Sequence, residues 1–142
     1  DRITLKKTGS CFMIKFGAFL LLLSSLLMAE LRHVDVNEEI VKSGIKIIDI
    51  RTAPEWKETG IVENSIPITF FDEQGRYDAA AFIAELNKHV KKDREFALIC
   101  RTGNRTVAVS DFLSKQGYKV VNLKGGIKRL MSQGYVPEPY NP

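Results

Sequence analysis

The chain is poor in the residues that build metal centres and disulfide frameworks. It holds two cysteines, Cys11 and Cys100, and two histidines, His33 and His89. Downstream of residue 29 Cys100 stands alone, which excludes an internal disulfide in that part and a small cysteine-stapled fold with it. One Cys and two His make a poor metal set, and a Cys–His protease would have to draw on the same two histidines. His33 falls in an expected edge strand and His89 near the end of a charged helix, so neither is assigned a role. Long apolar runs are scarce too. The longest, "FGAFLLLLSSLLMA" over residues 16–29, has fourteen uncharged residues, short of the roughly 20 that span a bilayer comfortably. No internal repeat, long linker or second domain is visible.

A large charge of one sign is also lacking. The formal net charge is +4, but the excess is concentrated in the first 29 residues. Taking their four bases and one acid from totals of 21 and 17 leaves 17 bases and 16 acids, a net charge near +1. Nothing in that balance points to a nucleic-acid surface. The first 29 residues themselves have the parts of a secretory signal: a basic start ending at Lys15, a short apolar stretch and the small Ala29 at its exit. Cleavage after Ala29 and an exported, periplasmic or secreted location are expected, with an uncleaved membrane anchor as the alternative. Met13 opens "MIKFGAFLLLL", a better signal start than Asp1. No Cys lies near the end of the apolar run, which argues against a lipoprotein.

Residues 31–137 alternate short apolar runs with amphipathic stretches, and residues 138–142 form a tail. "LRHV" reads as a first strand, followed by a short helix in "DVNEEIVKSG", with Asp35 and Glu38 as a capping box and Gly44 as its stop. "IKIIDI" has the β-branched content of a strand buried on both faces. "APEWKETG" is expected to be helical and "SIPI" a third strand. "FFDEQGRY" reads as a loop, after which Asp78 caps the helix "AAAFIAELNKHV". "FALIC", "RTVAVSDFLSKQG" and "YKVVNL" give strand, helix and strand, and "IKRLMSQG" a last helix after Gly125 and Gly126. "YVPEPYNP" is expected to lie extended on the surface. Strands separated by helices predict an α/β domain with a five-stranded, mostly parallel sheet and helices on both faces.

In such a sheet ligands bind outside the carboxyl ends of the strands. Cys100, in "LICRTGNRTVAV", lies at that edge, after a strand and before a helix. Gly103 accepts backbone angles closed to other residues, so the loop can curl its N–H groups of residues 101–105 towards one anionic centre. A helix N-terminus and neighbouring arginines favour the thiolate, the reactive form of a cysteine. Arg101 and Arg105 can orient an anionic donor, while Thr102 and Thr106 can donate to sulfur. This arrangement suits nucleophilic attack by Cys100 with a covalent intermediate on sulfur. A buried, inert cysteine is the bland alternative. Cysteine-dependent phosphatases and arsenate reductases place His before the Cys and five residues between Cys and Arg. Here Ile99 precedes Cys100, and four residues separate it from Arg105.

"CRTGNRT" resembles the active-site loop of the rhodanese family, Cys-Arg-x-Gly-x-Arg. "IIDIR" with "EW" resembles the family's first landmark, and "GGI…L…GYVP" its last. The likeness extends over residues 31–137 as a single-domain form. It implies a rhodanese-like fold and sulfurtransferase activity: Cys100 would take a sulfane sulfur from thiosulfate or polysulfide, hold it as a persulfide and pass it to a thiol or cyanide, the acceptor being a small molecule or a protein. Under this resemblance Arg101, Thr102, Gly103, Asn104, Arg105 and Thr106 bind the donor and stabilise the persulfide. Asp49 and Arg51 support the loop, and neither a metal nor an organic cofactor is expected. A non-enzymatic sulfur carrier is the alternative. In "TGIVENS" Ile61 stands where the family has His and Asn64 where it has a second Gly. Asn tolerates a left-handed backbone, so the turn is expected to persist. Leu130 takes the place of a common Trp.

Overall fold

The computed structural model describes residues 30–142, so the expected signal segment lies outside the described residues. The apolar runs become five strands: β1 (Leu31–Asp35), β2 (Lys46–Asp49), β3 (Ile66–Pro67), β4 (Phe96–Ile99) and β5 (Val120–Lys124). Between and after them run α1 (Glu38–Lys42), α2 (Ala53–Thr59), α3 (Ala79–Leu86), α4 (Asn104–Lys115) and α5 (Gly126–Ser132). The strand order is β1-β5-β4-β2-β3, and every pairing is parallel.

Alternation along the central strands divides the core into two halves. Ile48, Phe96, Leu98 and Val120 face Phe82 and Leu86 of α3 and Val109 and Leu113 of α4. Ile47, Ala97, Ile99, Val121 and Leu123 face Ile127 and Leu130 of α5 and the partly buried Ile40 and Val41 of α1. Both faces of β2, β4 and β5 are therefore covered, which explains their nearly unbroken apolar sequences. Leu130 is fully buried in the second half, so an aliphatic side chain serves as core where a Trp is common.

One expected cap shifts. Asp35 does not begin α1: it is still paired with Lys124, and the Val36 N–H continues the ladder to the Lys124 carbonyl at 3.0 Å. The cap falls on Asn37, whose side-chain oxygen accepts the Ile40 N–H at 2.9 Å. Strand pairing, which no local pattern reveals, decides this boundary. Asp78 caps its helix as expected, accepting the Ala81 N–H at 3.0 Å, and Asn64 adopts φ 61°, the left-handed turn expected of it.

The tail does more than lie on the surface. The Ile61 N–H donates to the Glu138 carbonyl at 2.9 Å and the Glu138 N–H returns to Ile61 at 2.8 Å, while the Tyr140 ring sits 5.3 Å from that of Trp56. Gly60 makes this approach possible, since a Cβ there would stand 2.3 Å from the Glu138 carbonyl oxygen.

The connections position the site. After β2 the chain moves outward to β3, whereas after β4 it moves the other way to β5. These adjacent strands, with Asp49 opposite Ile99, therefore send their following loops apart and open a crevice at their carboxyl ends.

Candidate active site

Cys100 follows β4 directly and stands at this crevice. Its side chain is drawn under the loop, not held at the loop's mouth: the residue is 1% exposed and packs with Ile50, Phe70 and Val109 in the α3/α4 half of the core. The Sγ accepts the Gly103 N–H at 3.2 Å and lies 3.7 Å from the Thr106 hydroxyl. Thr106 Oγ1 itself donates to the Gly103 carbonyl at 3.2 Å, so the thiol proton can be given to Thr106 while the Gly103 amide faces the sulfur. Gly103 caps α4 at φ 89°, and a Cβ in its place would stand 2.7 Å from the Gly125 nitrogen.

The six loop residues are not equivalent. Gly103 and Thr106 reach the sulfur; Thr102 and Asn104 are exposed, and no hydrogen bond joins the Thr102 hydroxyl to Sγ among the described residues. Of the amides in residues 101–105, that of Gly103 is within hydrogen-bonding distance of Sγ. Neither arginine points free. Arg105 makes a two-pronged pair with Glu55 at 2.8 and 2.6 Å, and Arg101 lies 3.8 Å from Glu58.

Glu55, the acid of the "EW" landmark, is a site residue to which the sequence assigned no role. It belongs to α2, where its carboxylate also accepts the backbone N–H and hydroxyl of Thr52 at 3.1 and 3.0 Å. The pairing with Arg105 across fifty positions had no local signal. These bonds, led by that from Arg105 and opposed by partial burial, lower its pKa from 4.5 to about 2. A lowered folded-state pKa stabilises the protein fully above the unfolded value and loses that contribution as pH falls through the folded value. The window is therefore from about pH 4.5 down to about pH 2. Glu55→Gln should show a shallower decline of urea-unfolding stability across that window than the parent chain; two parallel declines would remove Glu55 as the source.

The last turn pair also meets the loop. The amides of Ile127 and Lys128 donate to the carbonyls of Cys100 and Arg101 at 2.9 and 3.0 Å. A Cβ on Gly126, at φ 63°, would stand 2.5 Å from both carbonyl oxygens. Gly125 and Gly126 thus let α5 clamp the loop's carbonyls outward, leaving its amide side towards the sulfur. In sequence they read as a break between strand and helix and as the start of the "GGI…L…GYVP" landmark, with no contact to the loop implied.

Asp49 and Arg51, expected to support the loop, pair with each other, and the further bonds of Arg51 run to α2. Both are fully buried; Arg51 Nη2 meets Asp49 Oδ2 at 2.8 Å. Arg51 also donates to the hydroxyl of Thr59 at 2.8 Å and to the carbonyl of Gly60 at 2.9 Å. This pair fixes the helix that carries Glu55 and Glu58, so its link to the loop is through those carboxylates. His33 hydrogen-bonds the Asn122 amide at 2.9 Å and His89 lies 3.4 Å from Glu85. No group of three or more His, Cys, Asp or Glu suited to a metal ion occurs among the described residues.

Residues 33–133 match the rhodanese-like domain family. The candidate sulfurtransferase YtwF of Bacillus subtilis is 31% identical over 94 residues, which cover 66% of this chain and 76% of that protein. A sulfurtransferase of Allochromatium vinosum is 29% identical over 84 residues, covering 58% of this chain and 68% of its own. The crystal structure of a rhodanese-related protein from Thermoplasma volcanium aligns with a TM-score of 0.53 at 30% identity, over 71% of this chain and 93% of that one. With its parallel five-stranded sheet, flanking helices and family match over most of its length, the chain belongs to the rhodanese-like domain family.

Proposed function

We propose that the chain is a sulfurtransferase that carries sulfane sulfur on Cys100. The observation that supports this most directly is the Gly103 N–H aimed at Sγ from 3.2 Å at the start of α4. A preorganised amide at that position stabilises negative charge on sulfur as the thiolate attacks and as the persulfide forms. The donor is a sulfane-sulfur anion, whether thiosulfate, polysulfide or a persulfide, and the acceptor a thiol or cyanide. Arg101, the less tightly held guanidinium, is the residue we assign to donor binding. The signal-like residues 1–29 support an exported, periplasmic or secreted location for this chemistry.

A second reading has an observation of its own. At 1% exposure Cys100 has the burial of an inert core cysteine, which fits a binding module on the same fold. Mass spectrometry after incubation of the full chain with polysulfide or thiosulfate separates the two. Sulfur carriage gives a gain of about 32 Da, reversed by a thiol reductant and mapped to Cys100. An unchanged mass with both donors would leave the binding-module reading in possession.

A further inference from the structure

Both arginines of the loop are met by carboxylates from one helix. Arg105 is locked on Glu55 by two short hydrogen bonds, and Arg101 leans on Glu58 at 3.8 Å. Glu55 and Glu58 are three positions apart on α2, so they share a face, and that face borders the Cys100 loop. On the other flank stand Lys128, whose amide holds the Arg101 carbonyl, and Lys124 and Arg129, which share Asp35 at 3.9 and 2.8 Å. The loop therefore lies between a carboxylate-bearing helix and a side that retains positive charge.

We propose that Glu55 and Glu58 set the charge selectivity of the Cys100 loop, turning it against dianionic sulfur donors and towards persulfides that carry a single negative charge. The proposal rests on the sulfur-transfer reading and names its donor class. In the step concerned, the Cys100 thiolate attacks the outer sulfur of the donor R–S–S⁻. A bond forms between the two sulfurs, the donor's S–S bond breaks, and its electron pair leaves on R–S⁻, so Cys100 becomes Cys–S–S⁻. With thiosulfate the same displacement expels sulfite as a dianion. With the Cys100 thiolate counted, a persulfide makes two negative charges at the loop and thiosulfate three. Two unpaired guanidinium groups would offset the third charge. Here one is fully committed to Glu55 and the other is shared with Glu58, so the extra charge of a dianion meets carboxylates at the entrance. Coulomb energy scales with the product of charges, so each carboxylate weighs twice as heavily on a dianion as on a monoanion.

Glu58 is the cleaner probe, because its side chain is 61% exposed and its ion pair with Arg101 is long. The full chain would be loaded with thiosulfate or with 2-hydroxyethyl persulfide, and kcat/KM compared between the parent and Glu58→Gln. The expected result is a gain of about threefold for thiosulfate and less than twofold for the persulfide, with a steeper loss of thiosulfate activity on adding salt in the variant. Glu55→Gln should move the two donors in the same unequal ratio, whatever its effect on the absolute rate. Equal changes for the two donors, or none for either, would overturn the selectivity role while leaving sulfur transfer intact. Failure of both donors to load the parent chain would instead overturn the sulfur-transfer reading, and this inference would fall with it.

Discussion

Cys100→Ser should abolish sulfur loading and lower transfer to a thiol or cyanide acceptor by about three orders of magnitude or more, the scale seen when a nucleophile is removed. Serine keeps the shape of the side chain and can still accept the Gly103 N–H. It cannot ionise usefully near neutral pH, and its oxygen does not hold sulfane sulfur as a carrier. Because Cys100 is buried in the core, folding must be checked beside activity. Circular dichroism and the urea midpoint should remain close to those of the parent, with only the small cost of a more polar atom in the apolar surroundings of Ile50, Phe70 and Val109. A folded Cys100→Ser protein that still transferred sulfur would exclude Cys100 as the carrier.

Asp49→Ala should produce the largest loss of stability of any single change near the site, about 3–5 kcal/mol, the cost of leaving a buried charge without its partner. Arg51 is completely buried, and its guanidinium meets Asp49 through three hydrogen bonds of 2.8 to 3.1 Å. Its other bonds hold the end of α2, so the damage should spread to Glu55 and, through it, to Arg105. The comparison that isolates the pair is a double change, Asp49→Ala with Arg51→Met, which removes both charges and keeps an apolar chain in the space. Chemical denaturation should place the double variant above Asp49→Ala. If Asp49→Ala unfolded at the parent's urea midpoint, the pair would contribute nothing to holding α2.

Two of the arginine pairs at the site differ in what they do because they differ in water. The Asp49–Arg51 pair is sealed, so its main consequence is rigid placement of α2 and a severe penalty for removing one partner. The Glu55–Arg105 pair retains contact with solvent at 17% and 28% of the two side chains. Its contribution to folding is smaller and depends on pH, and its charge is still felt at the crevice. Between them they place a helix with two carboxylates beside a loop with two guanidinium groups. That juxtaposition, not the loop alone, sets the electrostatic character of the site.

Much of this architecture was legible along the chain. Periodicity and punctuation suffice for elements whose stability comes from short-range rules. The apolar runs "IKII" and "FALI" became central strands, Asp78 capped its helix, and Asn64 took its left-handed turn in place of glycine. The position of Cys100 between strand and helix was equally readable, since the carboxyl edge of a parallel sheet follows from strand–helix alternation. The sequence by itself therefore determined the fold class, the edge on which the candidate site lies and the thiol, Cys100, that stands there. Tertiary structure alone decided how deep that thiol sits, which amide faces it, and where each guanidinium is spent. The reason is range. Asp35 remained in a strand because Lys124 pairs with it. Arg105 is held by a carboxylate fifty positions away, and the loop's carbonyls are turned by α5 amides more than twenty-five positions downstream. Bonds of that separation leave no periodic trace in the chain, because nothing in local geometry requires the partners to be chosen together.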